Sequence, residues 1–317
     1  MQRLAAACLA ALALAAHAQP YPGKPVKILV AFTAGGTTDI MARSLAQRLS
    51  ERYKQPFVVE NKPGAGGNIG TEAAVRAAPD GYTLIVNSVG PIAVNPTLYK
   101  SLPYNPLTDL VPIAQISDVP NVLVAHPSLN VKTVADLVAY AKANPGKVNY
   151  ASTGIGTSSH LAGFMLASRA GFEAQHIPYK GAEALKDLLT GRVQVMFATI
   201  PSVIQHIKAG SLVAIAVSSL ERSRSMPEVP TVAASGFPGF QAGSWFGLFA
   251  PKGTPREVIA ELNKATAEFV AESAVQQKMI EQGADPVGGT PEQFGEFIRK
   301  EHEKWRTVVQ ESGAKVE

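Results

Sequence analysis

Cysteine is almost missing from this sequence. Its one copy, Cys8, lies within the first ten residues. The chain beyond it has no disulfide, no thiolate nucleophile and no Cys-ligated zinc. Five histidines lie beyond residue 18 (His126, His160, His176, His206 and His302), with no H-x-x-x-H pair and no zinc spacing among them. No metal and no cofactor are expected. Charge is scarce at 17% of residues, and the formal net charge of +4 includes no basic tract. Nucleic-acid binding wants Lys and Arg clustered on one face, so that class of partner is excluded. The sequence also lacks a G-x-S-x-G elbow and a G-x-x-x-x-G-K-S/T loop, which removes two common routes to catalysis.

The one leader-like apolar run is at the start. Met1–Arg3 is basic, Leu4–Ala15 is Leu and Ala with Cys8 inside it, and Ala16-His17-Ala18 gives an A-x-A site. This pattern predicts a secretory signal peptide over residues 1–18, cleaved after Ala18. The run is too short to span a bilayer. Only seven residues precede Cys8 and the apolar run continues past it, so a lipoprotein reading is rejected. The expected product begins at Gln19, carries 28 basic and 25 acidic residues, and is periplasmic if the host has two membranes.

What remains is 46% hydrophobic, enough for a sizeable core and long enough for two lobes. Strand-like and helix-like runs alternate from Val26 to Asn87, which predicts a mostly parallel sheet with helices on its faces. Residues 91–112 are rich in Pro and Asn and are expected to hold little regular structure. The alternation restarts at Val122–Ala125 and continues to 217. A strand is expected at Phe246–Ala250, then helices near 255–270, 273–282 and 291–311. The fold class is therefore α/β in two lobes. Lobe 1 is expected at 19–118 plus 246–317, and lobe 2 at 119–245. Two crossover strands, near 114–121 and 240–248, would form a hinge beside a central cleft.

Glycine is the conspicuous feature. In "NKPGAGGNIG" (61–70), Gly64, Gly66 and Gly70 read G-x-G-x-x-x-G, with Gly67 as an extra glycine. A dinucleotide fingerprint needs G-x-G-x-x-G, so the spacing is off by one. Two other loops share a different plan. "AFTAGGTTD" (31–39) leaves a strand, turns through Gly35 and Gly36, and enters a helix at Thr37-Thr38-Asp39. "ASTGIGTSSH" (151–160) does the same through Gly154 and Gly156 into Thr157 and Ser158. Glycine lets backbone N–H groups turn toward one point. A helix start adds unpaired donors and partial positive charge. Each loop is thus a candidate anion seat that needs no Lys or Arg. Facing each other across a cleft, two seats suit a small carboxylate or dicarboxylate. The alternative is that both are ordinary capped helix starts.

Single residues keep two readings each. Asp39 either favours the helix dipole and pairs with Arg43 at i,i+4, or orients the loop and accepts from a ligand. His160 either packs and caps or donates to a ligand. An exported α/β enzyme working through Asp39 or His160 is the competing reading from another class.

The same stretches carry a family likeness over nearly the whole chain. "AGGTTD", "VVENKPGAGGNIG", "APDGYTL", "NPTLYKSLPYNPLTDLVPI", "YASTGIGTSSHLAG", "IPYKGAEALKDLLTGRVQVMF" and "FGLFAPKGTP" occur in order. The sequence resembles the substrate-binding proteins of the tripartite tricarboxylate transporter family, the Bug-type receptors. The resemblance implies a type II periplasmic binding protein (Venus flytrap) fold. It implies capture of a small carboxylated solute and delivery to membrane permease subunits or, in some members, to a sensor kinase, with the receptor a monomer. Carried over, the ligand-binding residues would be Phe32, Thr33, Gly36, Thr37, Thr38 and Asp39. Asn87 and Ser88 would join them, as would Ser152, Thr153, Gly154, Gly156, Thr157, Ser158 and His160, and then Ala198 and Thr199. "GAGG" becomes a structural turn near the cleft. Many members have an acid where this chain has Ala198, which disfavours amino-acid ligands here. Thr33 stands where Pro or Ala is common.

Overall fold

The computed structural model describes residues 21–312. The expected signal peptide and its cleavage site lie outside the described residues. The first half of the chain builds one sheet with flanking helices. Its elements are β1 (Val26–Val30), α1 (Thr37–Tyr53), β2 (Phe57–Asn61), α2 (Asn68–Val75) and β3 (Thr83–Ser88). β1 pairs in parallel with both β2 and β3. The apolar positions of α1 (Met41, Leu45, Leu49) are buried against this sheet, as their spacing predicts.

Residues 91–112 are more regular than the sequence suggests. A helical turn over Gly90–Val94 leads into α3 (Asn95–Leu98), and α4 (Pro106–Asp109) follows. Each begins with a proline in its first turn. Proline there loses no needed N–H and presets the helical φ, so these prolines start helical turns in a stretch expected to hold little regular structure.

The short strand expected at Val122–Ala125 is the end of a 16-residue strand, β4 (Leu110–Ala125). Pro112 is tolerated inside it because a register irregularity lies between Pro112 and Ala114. After β4 come α5 (Val134–Ala143), β5 (Asn149–Ser152), α6 (Ser158–Ala170), β6 (Gln175–Pro178) and α7 (Glu183–Leu189). Then follow β7 (Val195–Thr199), α8 (Ile200–Lys208) and β8 (Val213–Val217). β5 pairs in parallel with β6 and β7, and the far end of β4 pairs with β7 and β8.

The chain returns through β9 (Gly243–Pro251), which pairs antiparallel with β3 and with most of β4. It closes with α9 (Arg256–Ala271), α10 (Ser273–Glu281), β10 (Asp285–Gly288) and α11 (Pro291–Ser312). β10 is absent from the sequence reading. It is four residues that end at Gly288 and run into Gly289, and its pairing with β4 makes it a strand. α11 packs Phe294, Ile298, Trp305 and Val309 inward. Glu301 on the same helix accepts from Trp245 Nε1 at 3.0 Å and Trp305 Nε1 at 2.9 Å, fastening the tail to β9.

Two lobes result, joined where β4 and β9 run side by side from one to the other. At the crossing, Asn121 is fully buried and ties three segments together. Its backbone N–H donates to Ser218 Oγ at 3.0 Å and its side-chain amide to Ala242 O at 3.0 Å. Its carbonyl oxygen lies 3.5 Å from Ser158 Oγ at the start of α6. Leaving buried polar groups without partners costs about 1–3 kcal/mol. Asn121→Ala is therefore expected to lower unfolding stability by about that amount, whereas a surface control such as Lys264→Ala leaves it unchanged. Equal urea midpoints for Asn121→Ala and wild type would show that the clasp contributes nothing.

Candidate functional site

Strand ends and helix starts meet between the lobes. β1 ends at Val30 and α1 starts at Thr37, so the glycine loop between them lies at the carboxyl edge of the first sheet. β5 and α6 do the same in lobe 2 with residues 153–157, and β7 runs straight into α8 at Thr199. The N-termini of α1, α6, α7 and α8 thereby converge on one cleft. It holds about 440 Å³ of empty space, part of it open to solvent.

Lobe 1 lines it with Phe32, Gly36, Thr37, Thr38 and Ser88, and lobe 2 with Thr153, Thr157, Ser158 and Thr199. All nine were singled out from the sequence. The wall also includes Val89, Gly90, Gly181, Ala182, Ser244 and Phe246, which were not. Among the described residues, no Asp, Glu, Lys, Arg or His contributes to it. No side chain caps α1 at Gly36 or α8 at Thr199. Among the described residues the hydroxyls of Thr38, Ser88, Thr153 and Ser244 have no hydrogen-bond partner, although Thr38, Ser88 and Ser244 are each at least 94% buried as residues. These oxygens are not enclosed by the protein, so they are available to an occupant of the cleft.

Of the other eight candidates, five stand behind the wall. Asp39 is buried and its carboxylate is saturated. Oδ2 accepts from Gly35 N (3.0 Å) and Arg43 Nε (2.9 Å), and Oδ1 accepts from Asn61 Nδ2 (3.0 Å). Burial pushes this carboxyl upward, but Arg43, the Gly35 N–H and Asn61 together hold it below the usual carboxylate range. It fixes the shape of the glycine loop. Asn87 points away from the cleft and donates to Thr71 Oγ1 at 2.8 Å. Ala198 is buried in β7 opposite Val122. Ser152 Oγ lies 2.6 Å from His176 Nε2 and also contacts Gly154 N and O. His160 accepts from Gly156 N at Nδ1 (3.3 Å) and stacks on His176 with ring centres 4.1 Å apart. The two imidazoles thus brace the 152–158 loop from below. Burial lowers His160 to about 4, and burial plus the neighbouring His160 lowers His176 to about 3.

Thr33, Gly154 and Gly156 lie on the seam where the lobes touch. Thr33 Oγ1 donates to Lys180 O (2.8 Å) and accepts from Ala182 N (2.9 Å) across the cleft. Thr37 Oγ1 and Thr199 Oγ1 form a second bridge at 2.7 Å. The "GAGG" loop meets lobe 2 here too. Gly66 has φ +62°, and a Cβ on it would sit 2.1 Å from Ile155 O, on the loop that carries Gly154. A Cβ on Gly156 would sit 2.0 Å from Asn95 Oδ1. These glycines let two backbones approach each other; they do not cradle a phosphate.

Two outcomes follow from this geometry. In Gly66→Ala the clash exists only when the lobes meet, so the variant is expected to remain folded with a larger radius of gyration by solution scattering. A scattering curve identical to wild type would refute the seam. The buried imidazoles bind protons more weakly folded than unfolded. Their contribution to stability is full above about pH 6.5 and is lost as pH falls toward 4. Wild type should lose stability over that window, and His176→Gln should lose less; equal slopes in chemical melts at pH 7.5, 6 and 4.5 would count against the account.

Comparison with known proteins agrees with this arrangement. Residues 41–314 match the model for the tripartite tricarboxylate transporter family receptor. The chain is 43% identical to the Bordetella pertussis protein BugT over 97% of this chain and 95% of that one. An R. palustris protein solved with adipate superposes with a TM-score of 0.91, at 37% identity, over 92% of this chain and 98% of its own. MatC from Rhodopseudomonas palustris, solved with malate, gives 0.87 at 31% identity, over 91% and 100%. A two-lobed α/β architecture, a cleft lined by helix starts and matches over nearly the full length agree: this chain belongs to the tripartite tricarboxylate transporter receptor family, the Bug-type solute-binding proteins.

Proposed function

We propose that this protein is a periplasmic receptor that captures a small carboxylate between its lobes and delivers it to the membrane subunits of a tripartite tricarboxylate-type transporter. It acts without chemistry on the ligand, as a monomer, and exported by its leader. The lobes are 19–118 with 246–317, and 119–245. One observation carries the reading: helix N-termini and the unpartnered hydroxyls of Thr38, Ser88, Thr153 and Ser244 face a cleft with no charged side chain among the described residues of its wall. Such a cleft attracts an anion by backbone dipoles and hydrogen bonds. Hydrogen bonds to a charged group contribute about 1.5–3 kcal/mol each, so a few reach micromolar affinity after association costs. The relatives solved with adipate and with malate support a carboxylate as that anion. Among the described residues, no helix is long and apolar enough to cross a membrane.

The test is thermal unfolding of the ligand-stripped chain from Gln19 with carboxylates, uncharged analogues and nucleotides. A ligand at one hundred times its Kd adds about 2.7 kcal/mol, which should raise the melting temperature by several degrees for at least one carboxylate, with the ligand recovered unchanged. Stabilisation by nucleotides alone, or conversion of the ligand to product, would overturn the reading.

A further inference from the structure

The seam between the lobes encloses a polar atom that has no partner. Asn95 opens α3 in lobe 1 and is fully buried. Its amide nitrogen is held within its own lobe. Nδ2 donates to Asn68 Oδ1 at 2.6 Å and to Gly66 O at 3.3 Å, and Tyr104 Oη donates to the same Asn68 oxygen at 2.8 Å. These bonds fix which way the amide faces, because turning it over would set its oxygen against that of Asn68. Asn95 Oδ1 is enclosed and has no hydrogen-bond partner among the described residues. Part of its cover is lobe 2. A Cβ on Gly156 would sit 2.0 Å from this oxygen, so the Gly156 backbone lies directly on it with no room for water between them.

We infer that the side-chain carbonyl of Asn95 opposes closure of the lobes and acts as a counterweight to the bridges made by Thr33. The inference rests on the two-lobed receptor reading above, in which the lobes part and meet around a solute. When they part, Gly156 leaves and water reaches the oxygen. When they shut, that hydration is stripped away, and a Cα–H of Gly156 is a weak substitute for it. The Nδ2 bonds lie within lobe 1 and persist in both forms, so they do not enter the balance.

An acceptor buried without a partner shifts the shut:open ratio toward open by about 5- to 150-fold. Thr33 acts in the other direction, since its bonds with Lys180 O and Ala182 N exist only when the lobes meet. Asn95 offsets part of what they contribute. It does so from outside the cleft, whose wall it does not join. A smaller shut population lowers apparent affinity in proportion, so Asn95 acts on binding without touching the solute.

The experiment reads the populations directly. The chain from Gln19 has no cysteine, so one can be placed on each lobe for spin labels, as Lys100→Cys and Lys186→Cys at exposed positions. Distances by pulsed electron paramagnetic resonance, without ligand, then give the shut and open fractions. Asn95→Leu removes the oxygen at similar volume, and Asn95→Ala removes it and leaves space for water. Both are measured on a Thr33→Ala background, where the shut form is less favoured and a rise is visible. The expected result is a shut:open ratio at least fivefold above Thr33→Ala alone in each variant that folds. A merely structural role for Asn95 would lower the melting temperature and leave the ratio where it was. A smaller rise, no change or a fall in either variant overturns the inference. No ligand enters the measurement, so the carboxylate-receptor reading stands or falls separately, on its own thermal-unfolding test.

Discussion

A single buried amide ties the two lobes together. Asn121 sits where β4 leaves its partner β9 and begins to pair with β7, opposite Thr199. Its hydrogen bonds reach Ser218 after β8 and Ala242 before β9, and its oxygen faces Ser158 at the start of α6. Three chain segments therefore share one rigid point, buried from water, where a hydrogen bond is stronger and a broken one more costly. Thr199 and Ser158 both line the cleft. The point that ties the lobes together therefore adjoins the wall of the cleft.

The cleft solves a charge problem with few charges. A guanidinium in the wall would bind a carboxylate strongly, but it would also need a partner whenever the cleft is empty. Backbone dipoles need none, because each is already fixed by its helix. The supporting groups follow the same logic. Asp39 spends its charge on Arg43 and the Gly35 N–H, holding a loop whose glycines would otherwise be free. The stacked His160 and His176 are kept neutral by burial, so they brace the 152–158 loop without contributing charge to it.

Much of this was legible in the sequence because the seats are local. A glycine turn followed by Thr or Ser and a helix is written in consecutive residues, and Gly36–Thr38 and Thr157–Ser158 stand in the wall as that pattern implies. Asn87 and Ser88 show the limit. Adjacent strand residues point to opposite faces, and only the register of β3 shows that Ser88 faces the cleft and Asn87 faces Thr71. Ser244 and Phe246 come from β9, whose position beside β3 and β4 is a long-range pairing with no local mark. Gly181 and Ala182 did carry a signal, a glycine between a strand and a helix like those of the other two loops. The prolines of 91–112 misled for a reason that is itself local: proline breaks a helix inside but starts one at its first turn. The "GAGG" loop kept its meaning hidden because its partner, Ile155, lies ninety residues away.

The bridges across the seam have a kinetic and logistic side. Thr33 makes two hydrogen bonds to lobe 2, and Thr37 meets Thr199. At about 0.5–1.5 kcal/mol each, the two made by Thr33 alone bias the shut form by about 1–3 kcal/mol, or roughly 5- to 150-fold. A receptor so biased gains affinity, because less of its population must be recruited on binding. It also blurs the message that closure carries. A downstream component that recognised only the shut shape would be visited by empty carriers as well as full ones, so faithful traffic would require it to sense the cargo, or the speed of reopening, in addition to the outline of the protein.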